Sequence, residues 1–372
     1  MSKHINLYTE NMQKLFLRVE KLEDLKRDLE NILEIADMNS LSFSKRSLFS
    51  EEIKTNNLVE GYDDDIEYIE DVVKNNQRRK NADNEKEQRI LNLYNGYKYI
   101  LSDKEINLDN LSTLYKMLSR NLLKQSDLER MGKYFREAPV YIYPSSIISQ
   151  EPHTGMSEDK VPFFMQQLLE YINTPENFES QTDYYIKSQI IHFYFVHVHP
   201  YFDVNGRTSR TLALWYLLNN KIYPYIIFNR GINLDKRTYE IAIQEAEKFG
   251  NVTIFVKYML ENVKKELEKE YAILEIEKNS SELSNIERQC INYILSMKGN
   301  ITIKDFTQYY KNFNEKRRAD DLLESVIEPL IDKKIIIPGR VTSTYINSDT
   351  LNYFFELNDD LLTDYNRLVK KK

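Results

Sequence analysis

From Ser188 to Val198 the sequence is almost continuously apolar or aromatic, and Pro200 stops it. Such a run fits a buried helix, and proline ends one because it restricts the residue before it and cannot extend the hydrogen-bond ladder. Helical spacing then resumes with Leu212, Trp215, Tyr216 and Leu218, so a second helix starts near Gly206 to Thr208. His199–Arg210 is therefore the loop of a helix–loop–helix. That loop faces the free N–H groups of the second helix, a ready site for a phosphate chain.

The loop reads His-Pro-Tyr-Phe-Asp-Val-Asn-Gly-Arg-Thr-Ser-Arg. His199 has an unperturbed pKa near neutrality and can take a proton from an incoming hydroxyl. Asp203 offers the hard oxygen ligands that suit Mg2+. Asn205 and the backbone around Gly206 can donate to phosphate oxygens, and Gly206 permits close approach. Arg207 and Arg210 are three apart, neighbours on one helical turn, and their planar forks match terminal phosphates. Base, metal carboxylate, anion nest and arginine clamp together describe nucleotidyl or phosphoryl transfer to a hydroxyl. A metal cluster of His192, His197 and His199 is the competing idea. Alternate positions on a helix face apart and no further His or Cys pair completes a site, so His192 and His197 are expected to be hydrogen-bonded neighbours.

The twelve residues resemble the signature of the Fic (filamentation induced by cAMP) family, H-x-F-x-[D/E]-G-N-G-R-x-x-R. That resemblance implies AMP transfer from ATP, with Mg2+, to a Ser, Thr or Tyr hydroxyl of a protein, the chain itself included. It makes His199 the base, Asp203 the Mg2+ ligand, and Asn205, Gly206, Arg207 and Arg210 the triphosphate contacts, with Val204 among the nucleotide-binding positions. Tyr201 stands where phenylalanine is usual, a mild change if the ring anchors the loop. Val204 replaces the first glycine; if that position needs positive φ, a β-branched residue there is strained and crowds the nest. Upstream, Asn56-Asn57-Leu58-Val59-Glu60-Gly61 resembles the family's inhibitory [S/T]-x-x-x-E-[G/N] helix end, which implies that Glu60 pairs with Arg210 in the γ-phosphate slot. From the residues alone, Glu-Gly is simply a helix end capped by Gly61. Val140–His153 is assigned to the family's β-hairpin flap, which captures a target segment as an added strand. Lys236-Arg-Thr-Tyr239 resembles the segment with an aromatic near the adenine, so Tyr239 is the adenine candidate.

The rest of the chain is read for helices. Only 9 Gly and 9 Pro occur in 372 residues, which points to mostly helix. The expected fold is mainly α: a Fic-type helical bundle with a short hairpin flap and a C-terminal winged helix-turn-helix. The expected domains are an N-terminal helical region at 1–101, a catalytic core at 102–278 and the winged helix at 284–372. Apolar spacing predicts a helix over Leu7–Ile35, and the charged stretch Asp63–Lys86 an exposed helix end and linker. Lys334–Ile337 and Gly339–Ile346 predict the two strands of a wing joined by a Pro-Gly turn. Lys311, Lys316, Arg317, Arg318 and Arg340 would give that module a basic face, but Asp320, Asp321 and Glu324 share its third helix. DNA binding and protein contact or homodimerisation therefore stand side by side.

A net charge of -7 argues against nucleic-acid binding by the whole surface. The single Cys290 fits a reducing compartment, and with no leader or membrane-length apolar run the expectation is a cytoplasmic protein without a membrane partner. The alternative function is a nucleotide-sensing regulator acting through the winged helix, its transfer weakened at Val204.

Overall fold

The computed structural model describes residues 4–6, 16–18, 23–38, 45–76, 82–142, 153–176, 178, 180–222, 228–234, 236–297, 301–311, 318–338 and 354–369. The protein is mainly helical, as its composition predicts. Two units separate: residues 1–62 with 66–264, and residues 63–65 with 265–372.

The first unit opens with β1 (His4–Asn6) and β2 (Phe16–Arg18), an antiparallel pair with Ile5 opposite Leu17. The helix expected over Leu7–Ile35 is thus corrected: α1 (Glu23–Met38) takes only its second half. A short apolar run fits helix and strand templates alike, and here pairing with a second strand decides. Next come α2 (Lys45–Val59) and α3 (Ile66–Asn76). The Asp63–Lys86 reading is corrected as well, because α3 buries Ile69 and Val72 at helical spacing.

α4 (Glu85–Ile100) and α5 (Leu108–Leu118) begin at Asn84 and Asn107, whose side chains accept from the N–H groups of Glu87 and Asn110. The short α6 (Gln125–Leu128) precedes β3 (Tyr141–Ile142), which pairs antiparallel with β4 (His153–Thr154). Then follow α7 (Val161–Asn173), α8 (Gln181–Val198), α9 (Asn205–Asn219), α10 (Phe228–Leu234), α11 (Lys236–Phe249) and α12 (Thr253–Asn279).

The pair α8–α9 is the centre of this unit. Ile191, Phe193, Phe195 and Val198 of α8 and Leu212, Trp215 and Leu217 of α9 are at most 1% exposed. Burial on every face explains why α8 reads as an unbroken apolar run. Around α9 pack α2, α4 and α5 as well as α8.

In the second unit α13 (Asn285–Met297), β5 (Ile301–Thr302) and α14 (Ile303–Lys311) precede a helix in three parts. These are α15 (Ala319–Leu322), a π turn at Leu323–Ile327 and α16 (Glu328–Asp332). Pro329 has no N–H for the α-helical ladder, so a π register just before it has a direct cause. β6 (Ile336–Pro338), β7 (Phe354–Leu357) and α17 (Thr363–Val369) complete the chain. The sheet order is β5-β7-β6, antiparallel, and Phe306, Leu322, Val326, Ile327 and Leu330 are fully enclosed.

β6 pairs with Phe354–Leu357, not with the predicted Gly339–Ile346, which lies outside the described residues. Phe355 is buried opposite Pro338, which gives β7 a core face that sets its register. Lys316, Arg317 and Arg340 also lie outside the described residues.

Candidate active site

α8 ends where Val198 gives way to His199, which adopts a left-handed conformation (φ 51°) while its N–H still donates to the Phe195 carbonyl at 3.0 Å. The half-buried His199 ring turns Nδ1 toward the Val196 carbonyl, 3.3 Å away. A carbonyl only accepts, so when the ring is neutral this contact is made by a proton on Nδ1, which leaves the lone pair on Nε2.

The loop is anchored by Tyr201, whose ring stacks on Tyr115 with centroids 3.4 Å apart and lies 6.2 Å from Phe135 and 6.0 Å from Phe195. Its fully buried hydroxyl has no hydrogen-bond partner among the described residues. Tyr201→Phe removes that orphaned group and keeps the stack, so it is expected to stabilise the protein by about 1 kcal/mol. Urea denaturation checks this as a higher midpoint at unchanged slope.

Asn205 closes the loop from the other side: its Oδ1 accepts from the Tyr201 N–H at 3.0 Å and its Nδ2 donates to the Tyr201 carbonyl at 2.9 Å. The carboxamide expected on a phosphate thus braces the loop with one of its two N–H groups. Val204 sits at φ 65°, ψ 12°, with its side chain buried. A non-glycine residue in that region costs about 1–2 kcal/mol. Asp203 is exposed and its Oδ1 accepts from the Val204 N–H at 2.6 Å.

The head of α9 is built for an anion. Val204 is its N-cap and supplies no side-chain oxygen to the first-turn N–H groups. Arg207 is 4% exposed, and neither its Nε nor its Nη1 has a hydrogen-bond partner among the described residues. Two buried donors of a charged group left open this way are costly unless a ligand accepts from them.

Arg210, one turn on, is fully engaged. Its Nε donates to Asn56 Oδ1 at 2.9 Å, and its Nη2 donates to Glu60 Oε1 at 2.5 Å and to the Asn56 carbonyl at 3.4 Å. Asn56 in turn donates to the Tyr97 hydroxyl at 2.8 Å. Gly61 ends α2 with φ 90°, and the Glu60 carboxylate reaches over Gly206, where a Cβ would lie 2.6 Å from Oε1. Glycine at 206 is what lets the carboxylate sit at the head of α9. Burial works to raise the Glu60 pKa, but the charges of Arg210 and Arg207, the Arg210 hydrogen bond and Lys236 outweigh it and leave it below the usual carboxylate value.

Behind Arg210 lies Tyr239, 6% exposed, its hydroxyl 3.0 Å from His192 Nε2 and hydrogen-bonded to Arg210. Its ring packs on His192, Phe255 and Tyr258. The adenine candidate is thus a core residue backing the clamp. Burial and then the Arg210 charge push the His192 pKa down to about 3, so this histidine is neutral. His197 instead meets Glu247 at 3.0 Å. The three histidines therefore point to three different tasks. Of the Val140–His153 flap, the paired ends Tyr141–Ile142 and His153–Thr154 are described, and residues 143–152 lie outside the described residues.

Residues 105–217, from the approach to α5 through most of α9, match the model of the Fic/DOC family. This part of the chain belongs to that family, whose members typically transfer AMP or other nucleotide-derived groups to proteins. Among solved structures, the protein is similar to a Fic family protein from Desulfovibrio desulfuricans G20 at 18% identity and a TM-score of 0.56, covering 90% of this chain and 95% of that one. It is also similar to a variant of Fic-1 from C. elegans, at 16% identity and a TM-score of 0.51, over 68% and 73% of the two chains. A Fic domain containing signaling protein from Bacteroides thetaiotaomicron VPI-5482 aligns at 14% identity and a TM-score of 0.50, over 65% and 94%. At these identities the likeness is one of fold. No curated protein matches the chain.

Proposed function

We propose that the protein is a protein adenylyltransferase held off by Glu60. The observation that carries this reading is Arg207, a buried guanidinium with two open donors beside an uncapped helix head. That pairing of groups fits the phosphate chain of ATP. Arg210 is the second half of the clamp, and the Glu60 carboxylate lies where a terminal phosphate would be bound.

In the reaction, the target's Ser, Thr or Tyr hydroxyl gives its proton to Nε2 of His199, and its oxygen bonds to the α-phosphorus. The bond from that phosphorus to the bridging oxygen breaks, and pyrophosphate leaves. Arg207 and the first-turn N–H groups of α9 face the charge that moves onto the phosphates. Asp203, exposed beside the cradle with one oxygen on Val204, is the residue that would hold Mg2+, an ion that neutralises phosphate charge when bound. β3–β4 is read as the platform for the target strand. We propose residues 102–278 as the catalytic core and 284–372 as a winged helix for DNA, partner contact or dimerisation. Among the described residues no helix is long and apolar enough to cross a membrane, and a cytoplasmic setting is part of the proposal.

Labelled ATP tests the reaction type. With Mg2+, adenylyl transfer is expected to leave the α-phosphate on protein and no γ label; γ label without α would make the enzyme a kinase instead. The strained, buried Val204 favours one second reading, a regulator that binds nucleotide and transfers it poorly. ATP binding with neither label on protein, even after Glu60 is replaced, would favour that reading.

A further inference from the structure

Arg136 is among the largest side chains that the protein encloses, 1% exposed. Its guanidinium donates to backbone carbonyls: Nε to His199 at 2.9 Å, Nη1 to Ala138 at 2.9 Å and Nη2 to Met156. Its own backbone N–H donates to the Pro200 carbonyl at 3.0 Å. Burial lowers its pKa, opposed by the charge of Glu158, yet an arginine stays charged throughout the ordinary pH range.

Burying that charge is costly, and an apolar side chain would fill the space without the cost. What the fork supplies is geometry, because a planar guanidinium fixes three acceptors at once. The three come from different places. Ala138 leads into β3, Met156 follows β4, and His199 carries the candidate base. Gly155 lies at the same junction: its N–H donates to the Val140 carbonyl at 2.9 Å. A Cβ there would lie 2.7 Å from Val140 Cγ1 and 3.5 Å from Arg136 Nη2.

We propose that Arg136 is a positioning residue that fixes the β3–β4 hairpin against the backbone of His199. An extended target segment laid along the hairpin then delivers its hydroxyl to the base in register. The proposal rests on reading β3–β4 as the acceptor platform. It separates two outcomes of one active site: a protein hydroxyl needs the register, whereas water attacking the same phosphorus does not.

The test uses the full chain with Glu60→Gly, alone and combined with Arg136→Lys or Arg136→Gln. Transfer of AMP to protein and hydrolysis of ATP to AMP and pyrophosphate are measured together, with ATP affinity as a control. Because misplacement by about 1 Å costs roughly 100-fold, the ratio of transfer to hydrolysis is expected to fall about 10- to 100-fold in Arg136→Gln. Arg136→Lys, which keeps the charge and loses the fork, should recover little of it. Transfer and hydrolysis falling in parallel would overturn the proposal.

Gly155→Ala perturbs the same junction with Arg136 intact and should lower the same ratio, should the Arg136 variants fail to fold. Hydrogen exchange supplies an arm that is independent of any activity. In Arg136→Lys the Gly155 amide should lose protection while amides of α8 and α9 keep theirs, and uniform loss across the unit would reduce Arg136 to general stabilisation. If no variant transfers AMP but exchange responds selectively, the reading of function fails and the clamp stands.

Discussion

Glu60→Gly is expected to raise incorporation of AMP from ATP by about 30- to 150-fold over the wild type, the effect of removing a restraint of ~2–3 kcal/mol. The carboxylate does two things at once. It takes Nη2 of Arg210 out of the clamp, and it puts negative charge at the head of α9. Arg210's side chain is 4% exposed and that of Glu60 31%, so solvent weakens the pair from one side only. That half-open geometry favours a restraint of a few kcal/mol, strong enough to silence the site and weak enough for a ligand to displace.

The scaffold survives the change. Glu60 follows the last residue of α2, so a second glycine beside Gly61 leaves the helix interior alone. Asn56 still holds Nε of Arg210, which keeps the freed guanidinium near the cradle instead of releasing it. Glu60→Gln, which keeps the shape and drops the charge, should activate by an intermediate amount. Acid is the other way to discharge Glu60. Its pKa is lowered, so the pairing is complete above the ordinary carboxylate value and is lost only as pH falls through the lower, folded one. At neutral pH the Glu60–Arg210 pair is therefore fully formed. Equal labelling by wild type and Glu60→Gly would remove the switch and leave the transferase.

The fold around the Glu60–Arg210 pair was legible where one element's pattern is enough. The apolar run of α8, the stop at Pro200 and the restart near Gly206 to Thr208 are local, so helix–loop–helix followed from residue types alone. Glu60 and Arg210 lie 150 positions apart, and nothing in the two segments pairs them; only the likeness to a known signature did. A usable signal was nevertheless present. Glu52 and Asn56 on α2 and Glu60 just past its end are polar at intervals of four, the spacing of one helix face. Glu52 accepts from Asn229 at 2.7 Å and the other two hold Arg210, so the stripe marks a polar seam buried at Glu52 and Asn56 and open to solvent at Glu60.

Other assignments depended on context. Asn205 and Tyr239 have the chemistry of ligand contacts, and whether such groups face a ligand or the protein is decided by packing between distant segments. Val204 was suspect only because glycine is usual there. Its φ of 65° is a property of the folded loop that residue type does not encode.

In the Glu60→Gly background, His199→Ala is expected to lower transfer by about 100- to 10,000-fold, the usual contribution of a positioned general base. ATP affinity should change little, because the proposed anion cradle consists of Arg207, Arg210 and the head of α9. The size of the loss depends on the tautomer. With Nδ1 donating to the Val196 carbonyl, Nε2 is the ring atom that takes the hydroxyl's proton. His199→Gln, whose amide offers no comparable base, should fail as completely as alanine. Single-turnover labelling with saturating ATP isolates the chemical step, and there the decrease should lie in the rate and not in the half-saturating ATP concentration. Loss confined to ATP affinity would make His199 a nucleotide contact and require another base. Retention of more than about a tenth of the rate would show that the incoming hydroxyl needs no deprotonation by this residue. The strained loop at His199 and Val204 would then serve to shape the phosphate nest alone.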